Sequence, residues 1–390
     1  NIHTREGLFN IALCWFWMLS ETQGYLHAII KMLIGSAYAD VGVEVVNTIF
    51  MLMALPYILR RIRLSDLAFY VLFLTLYIIS IGISSGSQYA FLSENAYSVL
   101  VLTVPLFFVG ISAKPNKIAN LLYVLSVICV VGDLLFTVYF QKEREHAGDQ
   151  MARAYALLPH LCMVAYYMLK RASLFNVIVF LVGFISLFTM GCRGAIVSFF
   201  LFVILYQLFV QKSKKSLIIT IIIVSIAIVF IEPIMSYVFD FSSEFNMSTR
   251  LVDKFIEGEF SESESRDDLR TGYLNLIHSN PLAFRGVAGD CMGTINYAHN
   301  IIIELFISYG VILGGLFFFL LCLIIIRSFF SVQDLYDKTF VILLICCYFF
   351  PLFLSGTYRT SMGFWMMLGY CLQQIRLKKK PQSIVLYNKK

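Results

Sequence analysis

The chain has 390 residues, of which 59% are hydrophobic and only 14% charged, with a mean hydropathy of +0.80. A soluble domain is nearer ~45–50% apolar and ~25% charged, so too little polar surface remains here to cover a water-soluble core. The formal charge of +6 does not indicate nucleic acid, because the basic residues sit in short clusters between apolar runs and not on one folded face.

A membrane span takes ~20 mostly apolar residues. Runs of that kind lie near Leu8–Leu33, Val43–Leu59, Asp66–Ser84, Ala96–Ile111, Ile118–Phe140 and Tyr155–Leu169. They continue near Leu174–Met190, Ala195–Val210, Leu217–Ile234, Ile301–Ile326, Thr339–Leu354 and Met362–Leu372. The first run holds Glu21, His27 and Lys31, and reads as one long helix or as a helix plus an interfacial piece. It lacks a small-residue cleavage site and precedes many further spans, so it is read as a retained helix, not a signal peptide. The expected fold is therefore all-α and integral to a membrane, with about twelve transmembrane helices.

Basic clusters follow every second run: Arg60, Arg61 and Arg63; Lys114 and Lys117; Lys170 and Arg171; Lys212, Lys214 and Lys215; Arg327; and Arg376 with Lys378–Lys380. Loops rich in Lys and Arg stay in the cytoplasm, so both termini are expected there. The domain plan is then helices one to nine over 1–235 and a large periplasmic loop over 236–298. Helices ten to twelve follow over 299–376, and a basic cytoplasmic tail over 377–390. The loop carries ten acids against five bases, unlike a cytoplasmic loop. A loop of this length is usually functional. Within it Leu269, Tyr273, Leu276 and Ile277 recur at helical spacing, and Asn280-Pro281 ends that helix.

Of the nine cysteines, seven fall inside apolar runs as packing residues. Cys192 and Cys291 lie near outer segments, and a bridge between them stays open. There is no Cys/His spacing for zinc, no internal repeat and no nucleotide-binding fingerprint.

Four groups of residues can carry chemistry. Gly191-Cys192-Arg193-Gly194-Ala195 makes an outer turn in which a guanidinium and exposed N–H groups can meet a phosphate; the alternative is an arginine snorkelling from a tight turn. His299 and Asn300 stand where the loop enters the tenth helix, with Glu304 on the same face as Asn300. A histidine there can take a proton near ambient pH, and Asn300 can cap the helix or orient the imidazole. Gly310 and Gly314 form GxxxG, which reads as close helix packing. The remaining outer arginines include Arg153 in a polar loop before the sixth helix, Arg266 and Arg270 on one helical face, Arg285, and Arg359 in the last outer turn. They either hold a diphosphate or pair with nearby acids. Glu44, Asp133 and Glu232 lie near helix ends, where intramembrane acids are candidates by default.

Taken in order, the Arg193-Gly194 turn, Arg266-x3-Arg270-x9-Asn280-Pro281, Arg285-Gly286-x2-Gly289 and His299-Asn300-x3-Glu304 resemble the O-antigen polymerase/ligase superfamily. That superfamily includes Wzy-type polymerases and WaaL-type ligases. The resemblance runs from Phe188 to Gly315; elsewhere only helix number and topology match. It implies a GT-C-like, inverting-type membrane glycosyltransferase of the inner membrane, with no metal and no cofactor. The donor would be an oligosaccharide on undecaprenyl diphosphate at the periplasmic face. His299 and Arg193 would be catalytic, as base and as diphosphate stabiliser. Arg266, Arg270, Arg285, Arg153, Asn300, Glu304 and Arg359 would bind substrate. A chain-length regulator is an expected protein partner. The family often has Ser where this chain has Cys192, which puts in doubt only a role for that hydroxyl. The net-acidic loop favours the polymerase over the ligase, whose acceptor is strongly anionic. A proton-coupled carrier or flippase is the reading from another class, and would show inverted repeats and mid-span acids.

Overall fold

Lipid offers no hydrogen bonds to a backbone, so each membrane segment must satisfy its own N–H and C=O groups. The computed structural model obeys that constraint. It describes residues 2–35, 38–140, 147–190, 192–212, 218, 264–291 and 298–379, and among these every regular element is helical. In chain order the α-helices are α1 (Ile2–Ile34), α2 (Ala39–Ile58), α3 (Leu64–Ile83), α4 (Gly86–Glu94), α5 (Leu106–Ser112) and α6 (Ala119–Phe140). Then come α7 (Ala147–Lys170), α8 (Leu174–Thr189), α9 (Arg193–Tyr206), α10 (Glu264–Ser279), α11 (Ile301–Ser331), α12 (Leu335–Leu344) and α13 (Met362–Lys379).

Six helical segments among the described residues are long and apolar enough to cross a membrane: 39–58, 64–83, 115–135, 193–211, 301–331 and 335–353. Gly86–Glu94 with Ser98–Ser112 adds a seventh, bent by 50°. The expected run at 217–234, apart from Ile218, and with it Glu232, and most of the expected loop (236–263 and 292–297) lie outside the described residues.

The first run is one continuous helix. Its Phe9, Leu13, Phe16 and Trp17 are buried, and the Trp17 indole N–H donates to Ser126 Oγ at 3.0 Å. The sixth run starts earlier than its apolar stretch. Arg153 lies inside α7, not in a loop, because the buried carboxylate of Asp133 on α6 draws its guanidinium against the bundle at 2.5 Å.

Glycine fixes two close contacts. A Cβ added at Gly110 on α5 would strike the Met366 carbonyl oxygen of α13, and one at Gly369 on α13 would strike that of Phe107. The two helix backbones therefore touch directly. Gly310 behaves otherwise. Its φ of +76° breaks α11, so the GxxxG pair is not a helix–helix seam. The loop's return segment lies in the break: Val311 N–H donates to Pro281 O at 2.8 Å, and the N–H groups of Arg285 and Gly286 both reach Ser308 O, at 3.0 and 2.9 Å.

The helices share two distinct ends. At one end of α3, Asp66 pairs with Arg376 of α13; near the other, Ser80 Oγ accepts from Val287 N–H at 2.7 Å. The 14 residues between are about 21 Å at 1.5 Å per residue. The described members of each basic cluster map to the Asp66 end; Lys214, Lys215 and Lys380 lie outside the described residues. Lys117 pairs with Glu6 at 2.8 Å. Tyr167, beside Lys170 and Arg171, stacks on Tyr123 at 4.2 Å. Phe209, just before Lys212, meets Phe329, just after Arg327, at 4.8 Å. The Lys378 ammonium donates to Phe330 O at 3.3 Å.

Overpacking a helix seam costs about 1–3 kcal/mol or more. Gly369→Leu is therefore expected to lower the detergent unfolding midpoint sharply. Gly132→Ala, with nothing within 4 Å of the added Cβ, is expected to leave it unchanged.

Candidate functional site

The site forms at the Ser80 end, where three stretches of chain meet. The first is the return segment of the long loop, 280–291. It is tied to the bundle by Ser87 Oγ on Cys291 O at 2.7 Å and by the Gln88 amide on Arg285 O and Val287 O at 2.8 and 3.0 Å. The second is the start of α11. The third is the turn 354–361 between the short 3-10 segment Phe350–Phe353 and α13.

Arg359 lies at the centre of this junction. It is 0% exposed, as is Asp290, and Glu304 is 1% exposed. Its guanidinium donates through Nη1 to Asp290 Oδ1 at 2.5 Å and through Nη2 to Asp290 Oδ2 at 3.4 Å. Nε lies 3.2 Å from Glu304 Oε1 and 3.0 Å from Thr357 Oγ1, and the Thr357 hydroxyl donates to the same Glu304 carboxylate. Phe91 of α4 covers the guanidinium plane, 5.0 Å from its ring centroid. Burial opposes this charge, and Asp290 followed by Glu304 more than offsets it, so Arg359 holds its proton above the usual arginine range.

The carboxylate of Asp290 also accepts from Ala298 N–H at 2.9 Å, and its carbonyl from Tyr273 of α10 at 2.9 Å. The cluster therefore anchors the entry to α11. His299 follows in a left-handed conformation, φ +51°, half-buried. A bulky residue holds that backbone at a cost of order 1–3 kcal/mol, and such positions concentrate at functional sites. Asn300 caps the helix, its side-chain oxygen accepting from Ile302 and Ile303 N–H at 3.0 and 3.3 Å. Its amide donates to Phe353 O at 3.3 Å.

The Arg193 turn joins the same junction. Arg193 opens α9 and is half-buried. A Cβ at Gly194 would lie 3.3 Å from Leu354 and would strike the Tyr155 hydroxyl of α7. Tyr155 and Thr357 both line a cavity of about 610 Å³, and among the described residues of its wall none is charged. Hydroxyls and amides of Asn95, Ser98, Ser355, Thr360 and Ser361 alternate there with Phe16, Leu106 and Met366. The Arg193 and His299 motifs, more than a hundred residues apart, thus flank one hydroxyl-rich cavity.

Other expected site residues lie elsewhere. Arg285 donates to the carbonyls of Ile307 and Leu276 at 3.3 and 3.4 Å, and burial lowers its pKa. It therefore braces α10 on α11. Arg153 is held by Asp133. Arg270 is exposed on α10, and Arg266 is on the same helix four residues earlier. Asp290 and Thr357 escaped the sequence reading. The local signal for Asp290 was an acid directly after a glycine stretch at the end of the loop, and for Thr357 a hydroxyl two residues before Arg359. Cys192 and Cys291 are both free and buried, so no bridge joins them.

Removing one partner of a buried ion cluster costs about 3–5 kcal/mol. Arg359→Leu is therefore expected to abolish the peak of folded protein in size-exclusion chromatography. Arg359→Lys is expected to recover it only in part, because an ammonium cannot reproduce the fork. Burial pushes the Cys291 thiol up to about 11. Iodoacetamide at pH 8 is then expected to spare Cys291 in folded protein and to label it after denaturation, as read by peptide mass spectrometry.

No family model matches this chain, and neither a curated protein nor a solved structure is found similar to it.

Proposed function

We propose that the protein is a repeat-unit polymerase of O-antigen or capsular type. It transfers a glycan from undecaprenyl diphosphate to a second lipid-linked repeat. The helices form a twelve-span bundle of the bacterial inner membrane, with both termini cytoplasmic and the cavity opening to the periplasmic side. The observation that carries this reading is the 610 Å³ cavity flanked by the Arg193 turn through Tyr155 and by the His299–Glu304 helix start through Thr357.

Sugars present hydroxyls and no formal charge, and the described residues of the cavity wall present hydroxyls, amides and aromatic faces without formal charge. A diphosphate needs cations instead, and Arg193 stands beside the cavity at a helix start, where N–H groups add to its charge. In the reaction an acceptor hydroxyl oxygen forms a bond to the anomeric carbon while the bond from that carbon to the diphosphate oxygen breaks. The electron pair leaves with the lipid diphosphate, stabilised by Arg193. The hydroxyl proton passes to the imidazole of His299. Arg359 takes no proton and no substrate in this scheme; it positions the α11 entry through Asp290 and Glu304. Arg266 and Arg270 on α10 are left to meet the incoming diphosphate-linked chain, and a chain-length regulator remains the expected protein partner.

A ligase would use the same chemistry with a lipid A–core acceptor. A carrier is the reading from another class, and the buried Asp133–Arg153 pair between α6 and α7 is the feature it would use.

Purified protein in liposomes, given undecaprenyl-diphosphate-linked repeat units without ATP or added metal, is expected to build a ladder of longer lipid-linked glycans and to release undecaprenyl diphosphate. Arg193→Ala and His299→Ala are each expected to slow extension by ~10²–10³-fold at normal protein abundance. Folded protein that moves the substrate across vesicles without lengthening it would establish the carrier instead.

A further inference from the structure

The opposite end of the bundle holds a second cavity, of about 530 Å³. Arg5 of α1, Arg60, Arg61 and Arg63 from the α2–α3 connection, and Arg376 of α13 line it, together with Gln373. These residues come from three separate stretches of chain. Among the described residues the ion pairs at this end are Lys117–Glu6 and Arg376–Asp66. Both carboxylates are thereby engaged; Arg61 and Arg63 act on these same two carboxylates from farther away, and among the described residues Arg5, Arg60, Arg61 and Arg63 form no ion pair.

A surplus of lysine or arginine is enough to orient a membrane protein, but orientation does not need the cations to close into one cavity. Like charges gathered in a shared concavity repel one another. Lys114 beside it shows the effect: burial, then Arg61 and Lys117, hold its ammonium below the usual lysine range. The wall carries an unmet hydrogen-bonding group as well. Gln373 is 8% exposed, and its Oε1 has no hydrogen-bond partner among the described residues. Rotating that amide by 180° turns its NH2 donors to the same place. The rest of the lining is Tyr57, Ile111 and Leu377, and the Arg61 guanidinium lies 4.6 Å from the Tyr57 ring centroid. Tyr57 lies one residue before the end of the span Ala39–Ile58, and Ile111 one residue before the end of the bent pair. The cavity therefore sits at the boundary between apolar spans and water.

We propose that this cavity is a binding site for a phosphoester anion, held in the arginine forks and against the Gln373 amide, at the membrane face remote from the glycan cavity. Guanidinium groups match phosphate oxygens two at a time, which lysines do not. The site has no part in the transfer reaction above and does not depend on it. Two sources share this chemistry: the headgroup of an anionic phospholipid, and a soluble phosphate compound.

The full-length protein is reconstituted into nanodiscs of phosphatidylcholine alone, or with phosphatidylglycerol added. Inorganic pyrophosphate is titrated into the neutral discs. Unfolding midpoint and lipid retained after washing are measured for wild type, for Arg5→Gln/Arg60→Gln, for Gln373→Leu, and for Lys212→Gln/Lys338→Gln as a charge-matched control outside the cavity. The wild type is expected to be stabilised by phosphatidylglycerol, if the ligand is a lipid headgroup, or by pyrophosphate, if it is soluble. The cavity variants are expected to weaken that binding at least ~10-fold, and the control less than twofold. Arg5→Gln/Arg60→Gln leaves both ion pairs in place, so its loss of binding is separable from loss of fold. The proposal fails if neither probe stabilises the wild type, or if the control loses as much binding as the cavity variants.

Discussion

A fully buried guanidinium is costly unless its charge and its five donors are met. Arg359 is such a group, and what meets it determines the loop end of the molecule. Asp290 comes from the long loop, Glu304 from the first turn of α11, and Thr357 from the arginine's own turn. Neither acid can move away without leaving charge unpaired in an apolar surrounding, and Thr357 cannot without leaving hydrogen-bonding groups of Arg359 and Glu304 unmet. Tyr273 and Ala298, bonded in turn to Asp290, extend the constraint to α10 and to the residue before His299. The left-handed backbone of His299 and the Asn300 cap are thereby held by a cluster that reaches the 610 Å³ cavity through Thr357.

The two ends of the bundle deal with charge in opposite ways. At the loop end the charge of Arg359 is internal and matched, and the described residues of the adjacent cavity are uncharged. At the other end five arginines line one cavity, and only Arg376 among them has a carboxylate partner among the described residues. The same helices connect the two: α3 carries Asp66 and Ser80, and α13 runs from the Arg359 turn to Arg376. Direct backbone contact at Gly110 and Gly369 holds α5 on α13. The distance between the ends is therefore set by rigid helices without side chains at that seam.

Much of this was legible from local pattern. Apolar runs become helices because lipid leaves the backbone no alternative, and alternation of basic loops corresponds to clustering at one helix end because odd and even helix termini face opposite ways. Asn280-Pro281 ends α10 at Ser279, since proline cannot continue the ladder. Asn300 caps α11 as its residue type suggests. The failures are equally physical. Arg153 was assigned to a loop because charge interrupts an apolar run, and its helix survives because Asp133, twenty residues earlier, neutralises it. Gly310 looked like a packing glycine, and its left-handed φ instead admits the loop.

The sequence by itself determined the helices, their order and the side on which the basic loops gather, because these follow from hydropathy and from the backbone's need for hydrogen bonds within each segment. It also put forward Arg193 and His299 through the order of their motifs. Only the tertiary structure decided which partners each charge has. Asp290 and Arg359 are 69 residues apart and meet through packing alone. Arg5, Arg61 and Arg376 share a cavity for the same reason. A charge's partner is a property of distance in space, which no local pattern of residues encodes.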